Sequence, residues 1–160
     1  MRPEASHAVQ LQELTDQKLI FPNLAGSDSG SLLLEFSQRL VERGVVEEAN
    51  ELYRMLRERE ELGSTGIGDG VAIPHCKCKG IRQVVVAIGT SEKGIDFSAV
   101  DGNPVRLFFV VLSPEKDPAS HLKSLAAISR WVKADNHVER ILEASDPESI
   151  YELLGEAGDE

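Results

Sequence analysis

The run Val105-Arg106-Leu107-Phe108-Phe109-Val110-Val111-Leu112, with its upstream companion Val84-Val85-Val86-Ala87-Ile88-Gly89, decides the fold class. Both are nearly continuous apolar stretches of strand length, the pattern of strands covered on two faces rather than half solvated. Lys93-Gly94 and Asp101-Gly102-Asn103-Pro104 between them carry turn chemistry. The cover has to come from helices, and the sequence predicts them on both sides. Upstream, Leu33, Phe36, Leu40 and Val41 form a helical stripe that starts at Ser31 and stops at Gly44, a residue suited to a left-handed cap. A second helix is predicted from Val46 to Glu60, with Ala49, Leu52, Tyr53 and Leu56 on one face. Glu47 and Glu48 fall in its first turn and Arg57 and Arg59 in its last, complementing the dipole. Downstream, Asp117-Pro118 reads as an N-cap followed by proline at the first helical position, opening a helix through Leu122, Leu125, Ala126, Ile128 and Val132 to Ala134. A short segment from His137 to Ala144 and another opening at Asp146-Pro147 complete a helical C-terminal third. Nearer the start, Lys18-Leu19-Ile20-Phe21-Pro22 is an apolar run cut by proline, as expected of an edge strand, and Gly26–Gly30 reads as a turn. Helices, then strands, then helices, with no repeat or linker between them, predict a single three-layer α/β/α domain with a mixed central sheet. Its expected extent is 11–154, between a flexible lead at 1–10 and an acidic tail at 155–160.

A chain of 160 residues buries roughly two-thirds of its unfolded surface, enough for one core without disulfide or metal. With 41% hydrophobic but only 5% aromatic residues, that core is built mainly from Leu, Val, Ile and Ala. The net charge of −10 repels phosphate backbones and anionic bilayers, which argues against nucleic acid or membrane as partner and for a protein with a basic face. Met1–Gln10 has no apolar run of signal-peptide type, and no stretch approaches the ~20 apolar residues of a membrane span. A soluble, cytoplasmic protein is expected. Cys76 and Cys78, separated only by Lys77, are a poor disulfide framework and fit a reducing compartment.

The least ordinary stretch is Gly63-Ser64-Thr65-Gly66-Ile67-Gly68-Asp69-Gly70-Val71-Ala72-Ile73-Pro74-His75. It is no nucleotide fingerprint, because a strand rather than a helix follows the glycines and no Gly-Lys-Ser/Thr triplet occurs. Gly66, Gly68 and Gly70 could present backbone amides to an anion, or could simply make tight turns before a strand. His75 is a candidate nucleophile, since an imidazole with a pKa near ~6.5 offers an unprotonated nitrogen at neutral pH. A surface or structural histidine is the plainer alternative, against which stands its position at the end of a short strand beside the glycines. His121, one turn into the predicted helix, shares a face with Leu125 and Ile128. It is either a buried histidine donating to a carbonyl or a residue that reaches His75 and helps bind an incoming oxyanion. His75, Cys76 and Cys78 make a poor metal set, because adjacent ligands strain tetrahedral geometry and no second cysteine pair closes the site. Ser64 and Ser113 lack the context of a nucleophile elbow. No metal and no cofactor is expected.

The segment Arg59–Gly68 running into Val71-Ala72-Ile73-Pro74-His75 resembles the fructose/mannitol-type (type 2) enzyme IIA of the phosphoenolpyruvate-dependent phosphotransferase system. The likeness continues through Gly94-Ile95-Asp96-Phe97, Asp101-Gly102-Asn103-Pro104-Val105 and His121-Leu122-Lys123-Ser124-Leu125-Ala126, and its wording is most similar to the nitrogen-regulatory enzyme IIA. The resemblance implies a phosphohistidine carrier in which His75 accepts a phosphoryl group from HPr or its nitrogen-branch relative. It further implies that His121 is a supporting histidine and that Arg59 lies close to the phosphoryl group. The loop amides around Gly66, Gly68 and Gly70 would then help hold the oxygens. Two outputs are compatible with it: regulation of target proteins, which the nitrogen-type wording favours, and sugar transport by donation to an enzyme IIB. A non-enzymatic interaction module with a structural or metal-binding His75 is the remote alternative. Cys76 departs from the pattern, because nitrogen-regulatory relatives usually have glycine after the histidine, and Cys78 adds a second thiol beside the site.

Overall fold

The computed structural model describes residues 9–156, so most of the predicted lead and residues 157–160 of the predicted tail lie outside the described residues. In chain order the elements are α1 (Leu11–Leu14), a 3-10 turn (Gln17–Leu19), β1 (Ile20–Phe21), α2 (Ser29–Glu42), α3 (Ala49–Leu62), β2 (Gly66–Gly68) and β3 (Val71–Ala72). They continue with β4 (His75–Cys78), β5 (Val85–Ile95), β6 (Val105–Pro114), α4 (Pro118–Lys133), α5 (His137–Glu143) and α6 (Pro147–Leu153). The strands form one mixed sheet in the order β1-β5-β6-β3-β2, with β4 also paired to β6. β5 and β6 run antiparallel at its centre, β1 is parallel to β5, β3 and β4 are parallel to β6, and β2 is antiparallel to β3.

β6 shows why the domain has three layers. Its residues alternate across the pleat: Phe108, Val110 and Leu112 join the cluster of Leu32, Leu33, Phe36, Leu40, Leu52 and Leu56 from α2 and α3. Leu107, Phe109 and Val111 join Ile128, Trp131, Val132, Ile141 and Ile150 from the C-terminal helices on the opposite face. Each such side chain, fully withdrawn from water, contributes roughly 1.5–3 kcal/mol, so both faces of a nearly unbroken apolar strand have to be covered. The three-layer α/β/α class is therefore the observed one.

Local corrections have local causes. α2 opens at Ser29, two residues early, because Asp28 caps it: the Asp28 carboxylate accepts from Ser31 N–H at 2.7 Å while Ser31 Oγ accepts from Asp28 N–H at 3.1 Å. The glycine–serine cluster read as a turn thus becomes cap and first helical turn. α3 starts late, at Ala49, because the chain leaving α2 closes on itself first, with Gly44 at φ +78° and Val45 N–H donating to the Leu40 carbonyl at 2.9 Å. Glu47 and Glu48 therefore precede the first turn, whose acidic residue is Glu51. β5 does not end at Gly89 but runs to Ile95, and Lys93-Gly94 forms a bulge in it rather than a turn, with the register shifting between Thr90 and Ile95. Gly94 is at φ +84°, and a Cβ there would lie 2.8 Å from Pro104 Cβ. At the C-terminal end Gly155 and Glu156 are held: the Glu156 carboxylate accepts two hydrogen bonds from Arg140, each 2.7 Å.

For the site, the decisive stretch is the one around Pro74. β3 and β4 lie one after the other along the same flank of β6, with Ala72 opposite Phe108 and His75 opposite Val111. Proline has no N–H to give to the ladder and breaks the strand, yet its carbonyl accepts from Val111 N–H at 2.9 Å and keeps the chain in register. His75 thus begins a new strand rather than ending an old one. β2 pairs only with β3, so β4 is an edge at this level of the sheet.

Candidate active site

Along β4, Cys76 and Cys78 turn into the α2/α3 layer, so His75 and Lys77 alternate toward the other face. Because β4 is an edge strand, side chains of both helical layers meet over His75. Arg59 comes from the last turn of α3 and His121 from the first turn of α4. A shallow depression of about 480 Å³ opens there, lined by Met55, Glu58, Arg59 and Leu62 of α3, His75, Cys76 and Lys77 of β4, and His121.

The His75 ring is fixed at both nitrogens. Nδ1 is 2.7 Å from the Ile73 carbonyl oxygen, which can only accept, so Nδ1 carries the proton. Nε2 then presents its lone pair, and Arg59 Nε–H donates to it at 3.2 Å. The same guanidinium is anchored by Nη1, which donates to the Gly63 carbonyl at 2.8 Å. The His121 ring lies 5.2 Å from that of His75, centroid to centroid, at an interplanar angle of 58°.

His121 is held by Ser113 Oγ, 2.6 Å from Nδ1. Ser113 is fully buried and has no second side-chain partner among the described residues. Were Nδ1 the donor, the hydroxyl proton would be left unpaired, at a cost of about 1–3 kcal/mol. The hydroxyl therefore donates, and the proton of neutral His121 resides on Nε2, the nitrogen left for the depression. In Ser113→Ala this preference disappears. The imidazole nitrogen shifts of His121 should move toward a tautomer mixture, and any reaction at His75 that uses its Nε2–H should slow by roughly 10-fold, in line with loss of one supporting hydrogen bond. Unchanged shifts would show that Ser113 only fills space.

Burial lowers the pKa of His75 below the ordinary imidazole value of 6.5; the Ile73 hydrogen bond opposes this and the Arg59 charge reinforces it. His121 is lowered too, first by burial and then by the charges of His75 and Lys77. At neutral pH both rings are uncharged, and Nε2 of His75 is available. Since the unfolded chain binds protons more readily at these positions than the folded one, stability is complete above about pH 6.5 and falls as acidification passes through the lowered folded values. Urea midpoints at pH 7.5 and 5 should differ in that direction, with the difference reduced in His75→Gln.

Gly66, Gly68 and Gly70 are placed elsewhere. They form the β2–β3 hairpin, with Gly68 and Gly70 at φ +95° and +78° around Asp69, and the lining of the depression does not include them. Gly66 N–H donates to Ser64 Oγ at 2.9 Å, and Asp69 N–H at the hairpin tip donates to the Asp101 carboxylate at 3.1 Å. A Cβ on Gly66 would come within 2.9 Å of Ala99 Cβ, so close approach of the 97–104 connection accounts for glycine there. The structure thus brings together His75, His121 and Arg59, and not the glycines. Sequence reasoning weighed Ser113 only as a hydrolase nucleophile and missed its contact with His121, although one signal was available. It is the polar residue at the end of an apolar strand, in phase with Leu107, Phe109 and Val111, on the face that α4 covers.

An uncharged imidazole with one nitrogen pinned, the other exposed to a guanidinium, and a second imidazole alongside can accept and hold a compact anionic group such as phosphoryl. The chain belongs to the family described as the phosphoenolpyruvate-dependent sugar phosphotransferase system, EIIA 2, whose model matches residues 13–157. It is therefore a phosphotransferase component of the type 2 enzyme IIA class, as the sequence resemblance implied. A nitrogen regulatory protein of Bradyrhizobium diazoefficiens is 33% identical over 145 residues, covering 90% of this chain and 94% of that protein. A fructose-specific EIIA component of Haloferax volcanii is 35% identical over 116 residues, 72% of this chain and 75% of that one. Among solved structures, the nitrogen regulatory protein IIA-Ntr from Neisseria meningitidis superposes with a TM-score of 0.82 at 29% identity, covering 89% of this chain and 97% of that one.

Proposed function

We propose that the chain carries a phosphoryl group on Nε2 of His75, received in the cytoplasm from the phosphohistidine of HPr or of HPr's nitrogen-branch relative, and that its output is mainly regulatory. The observation that carries this reading is the pinning of His75: Nδ1–H on the Ile73 carbonyl and the Nε2 lone pair facing Arg59. In the transfer, the Nε2 lone pair attacks phosphorus, the donor's N–P bond breaks, and its electron pair stays with the donor imidazole. Such a step depends on in-line positioning and on neutralising the equatorial oxygens. Arg59 has to turn its guanidinium only from Nε2 onto those oxygens, and the Nε2–H of His121 adds a second donor. The Ile73 carbonyl stabilises the ring as it gains positive charge. Leu62 and Leu122, 85% and 65% exposed, stand beside this site as the apolar contacts a docking protein would cover, and the acidic surface suits a basic partner.

The regulatory output rests on the similarity to nitrogen regulatory proteins across most of the chain. A second reading, donation to an enzyme IIB in sugar transport, is favoured by the likeness to the fructose-specific component. Incubation with phosphoenolpyruvate, enzyme I and HPr should place an acid-labile label on Nε2 of His75, located by phosphorus–nitrogen NMR correlations. Label at another residue, or none, would remove the proposal. To separate the outputs, phosphorylated and unmodified protein are compared in pull-downs beside a transfer assay to enzyme IIB proteins of the same cell. Partners that prefer one state are expected; rapid transfer to an enzyme IIB with no such preference would make transport the function.

A further inference from the structure

The two cysteines beside the site are placed to react with each other. Cys76 and Cys78 point to the same face of β4, and their Sγ atoms are 3.5 Å apart, in contact but unbonded. Although only 9% and 3% exposed, each borders open space. Cys76 lines the depression around His75, and Cys78 lines a separate one of about 600 Å³ bordered by Val45, Glu48, Glu51, Met55 and Lys79. A small oxidant can therefore approach the pair from either depression without unfolding the domain.

We propose that Cys76 and Cys78 form a reversible intramolecular disulfide when the protein meets a peroxide, and that the oxidised form takes phosphate on His75 more slowly. The second clause rests on the phosphoryl-carrier function proposed above.

The chemistry balances with hydrogen peroxide as oxidant. The Cys78 thiolate attacks one peroxide oxygen; an S–O bond forms, the O–O bond breaks, and the departing hydroxide is protonated to water. The Cys76 sulfur then attacks the sulfenic sulfur; the S–S bond forms, the S–O bond breaks, and the hydroxide leaves as a second water with the proton lost by Cys76. Two thiols are oxidised and one peroxide is reduced. Either thiol can donate across the 3.5 Å contact; with the Cys76 S–H as donor the Cys78 pKa is lowered, against the burial and the Glu115 and Glu51 charges that act the other way, and Cys78 is the first nucleophile. The same hydrogen bond, followed by burial, raises Cys76 and keeps it as the resolving thiol.

Geometry supplies the coupling. Residues i and i+2 of an extended strand are roughly 6.6–6.8 Å apart at Cα, at the upper limit of the ~4.4–6.8 Å that a disulfide spans. Closing the bond draws the two backbones together and puckers β4. The strand can follow because β6 is its one sheet neighbour among the described residues. His75 is the first residue of the same strand, and its 3.2 Å contact with Arg59 and 2.7 Å contact with the Ile73 carbonyl depend on where that strand lies. A misplacement near ~1 Å at a reacting group can cost about 100-fold in rate. A pair too close in sequence to staple the fold is thus suited to switching the site, since a small strained ring is readily reduced again.

The test uses the full chain. Protein treated with hydrogen peroxide, then catalase, should lose two hydrogen atoms in mass, with both losses on the peptide holding Cys76 and Cys78 and no thiol left to alkylate. Dithiothreitol should restore both. The oxidised protein should accept phosphate from phosphoenolpyruvate, enzyme I and HPr at least roughly 10-fold more slowly than the reduced protein, and reduction should recover the rate. Cys78→Ser should show the parent rate and no response to peroxide; Cys78→Ala serves as a second control if the serine unfolds the strand. Thiols that remain alkylatable, or chains cross-linked to one another, would overturn the disulfide. A disulfide that forms without slowing phosphate acceptance would overturn the coupling. If the reduced protein accepts no phosphate, the carrier function and the coupling fail together, while the mass measurement still decides the disulfide.

Discussion

His75→Ala is expected to accept no phosphate from phosphorylated HPr, a loss of at least about 10⁴-fold, because the substitution removes the nucleophile and leaves no substitute within reach. His121 cannot take its place: it is buried and its Nδ1 is engaged by Ser113. His137 is buried at the start of α5, with Nδ1 3.0 Å from the Trp131 carbonyl oxygen and its ring 4.4 Å from the Trp131 indole, centroid to centroid. The fold should survive, since His75 is only partly buried and its side chain contributes to neither core cluster. The measurement is phosphate incorporation over time beside near-ultraviolet circular dichroism. A folded His75→Ala that still labels at the parent rate would show that the acceptor is another residue.

Arg59→Ala should retain the acceptor and slow it by roughly 10²–10³-fold, the usual loss when one preorganised donor to developing charge is removed. Arg59→Lys should recover only part of the rate. The guanidinium uses two nitrogens at once, Nε toward His75 and Nη1 on the Gly63 carbonyl at the end of α3, and a lysine has a single ammonium to divide between them. Arg59→Ala also carries an electrostatic signature. The Arg59 charge is among the causes that hold His75 below the ordinary imidazole value, so its removal should raise the His75 pKa, while burial, the larger cause, keeps part of the depression. An NMR titration of His75 in the variant reads this directly. A variant with parent kinetics and an unmoved titration would take Arg59 out of the site.

What the sequence by itself determined lies in short-range chemistry. The β6 run marks a strand covered on two faces, and Asp117-Pro118 and Asp146-Pro147 mark the starts of α4 and α6, whose aspartate side chains accept from Ser120 and Ser149 N–H groups as N-caps. Each of these readings depends on residues within a turn or a strand of one another, where local preference and tertiary structure agree. The class of reaction was legible too, since several spaced motifs around His75 and His121 agree in order with one family. Tertiary structure decided the rest. The glycines at 66–70 look alike whether they cradle an anion or turn a hairpin, and it is the approach of Ala99 and the Asp101 carboxylate that makes them a hairpin. Arg59, His75 and His121 come from an α3 terminus, an edge strand and an α4 terminus in three different layers, and only the break at Pro74 and the edge position of β4 let both helices reach one ring. The tautomer of His121 is set by Ser113, from the neighbouring strand, through a hydroxyl that burial leaves with one place to donate. Such contacts join residues that share no periodicity in the chain, so they become determined only when burial of the apolar faces has brought the layers together.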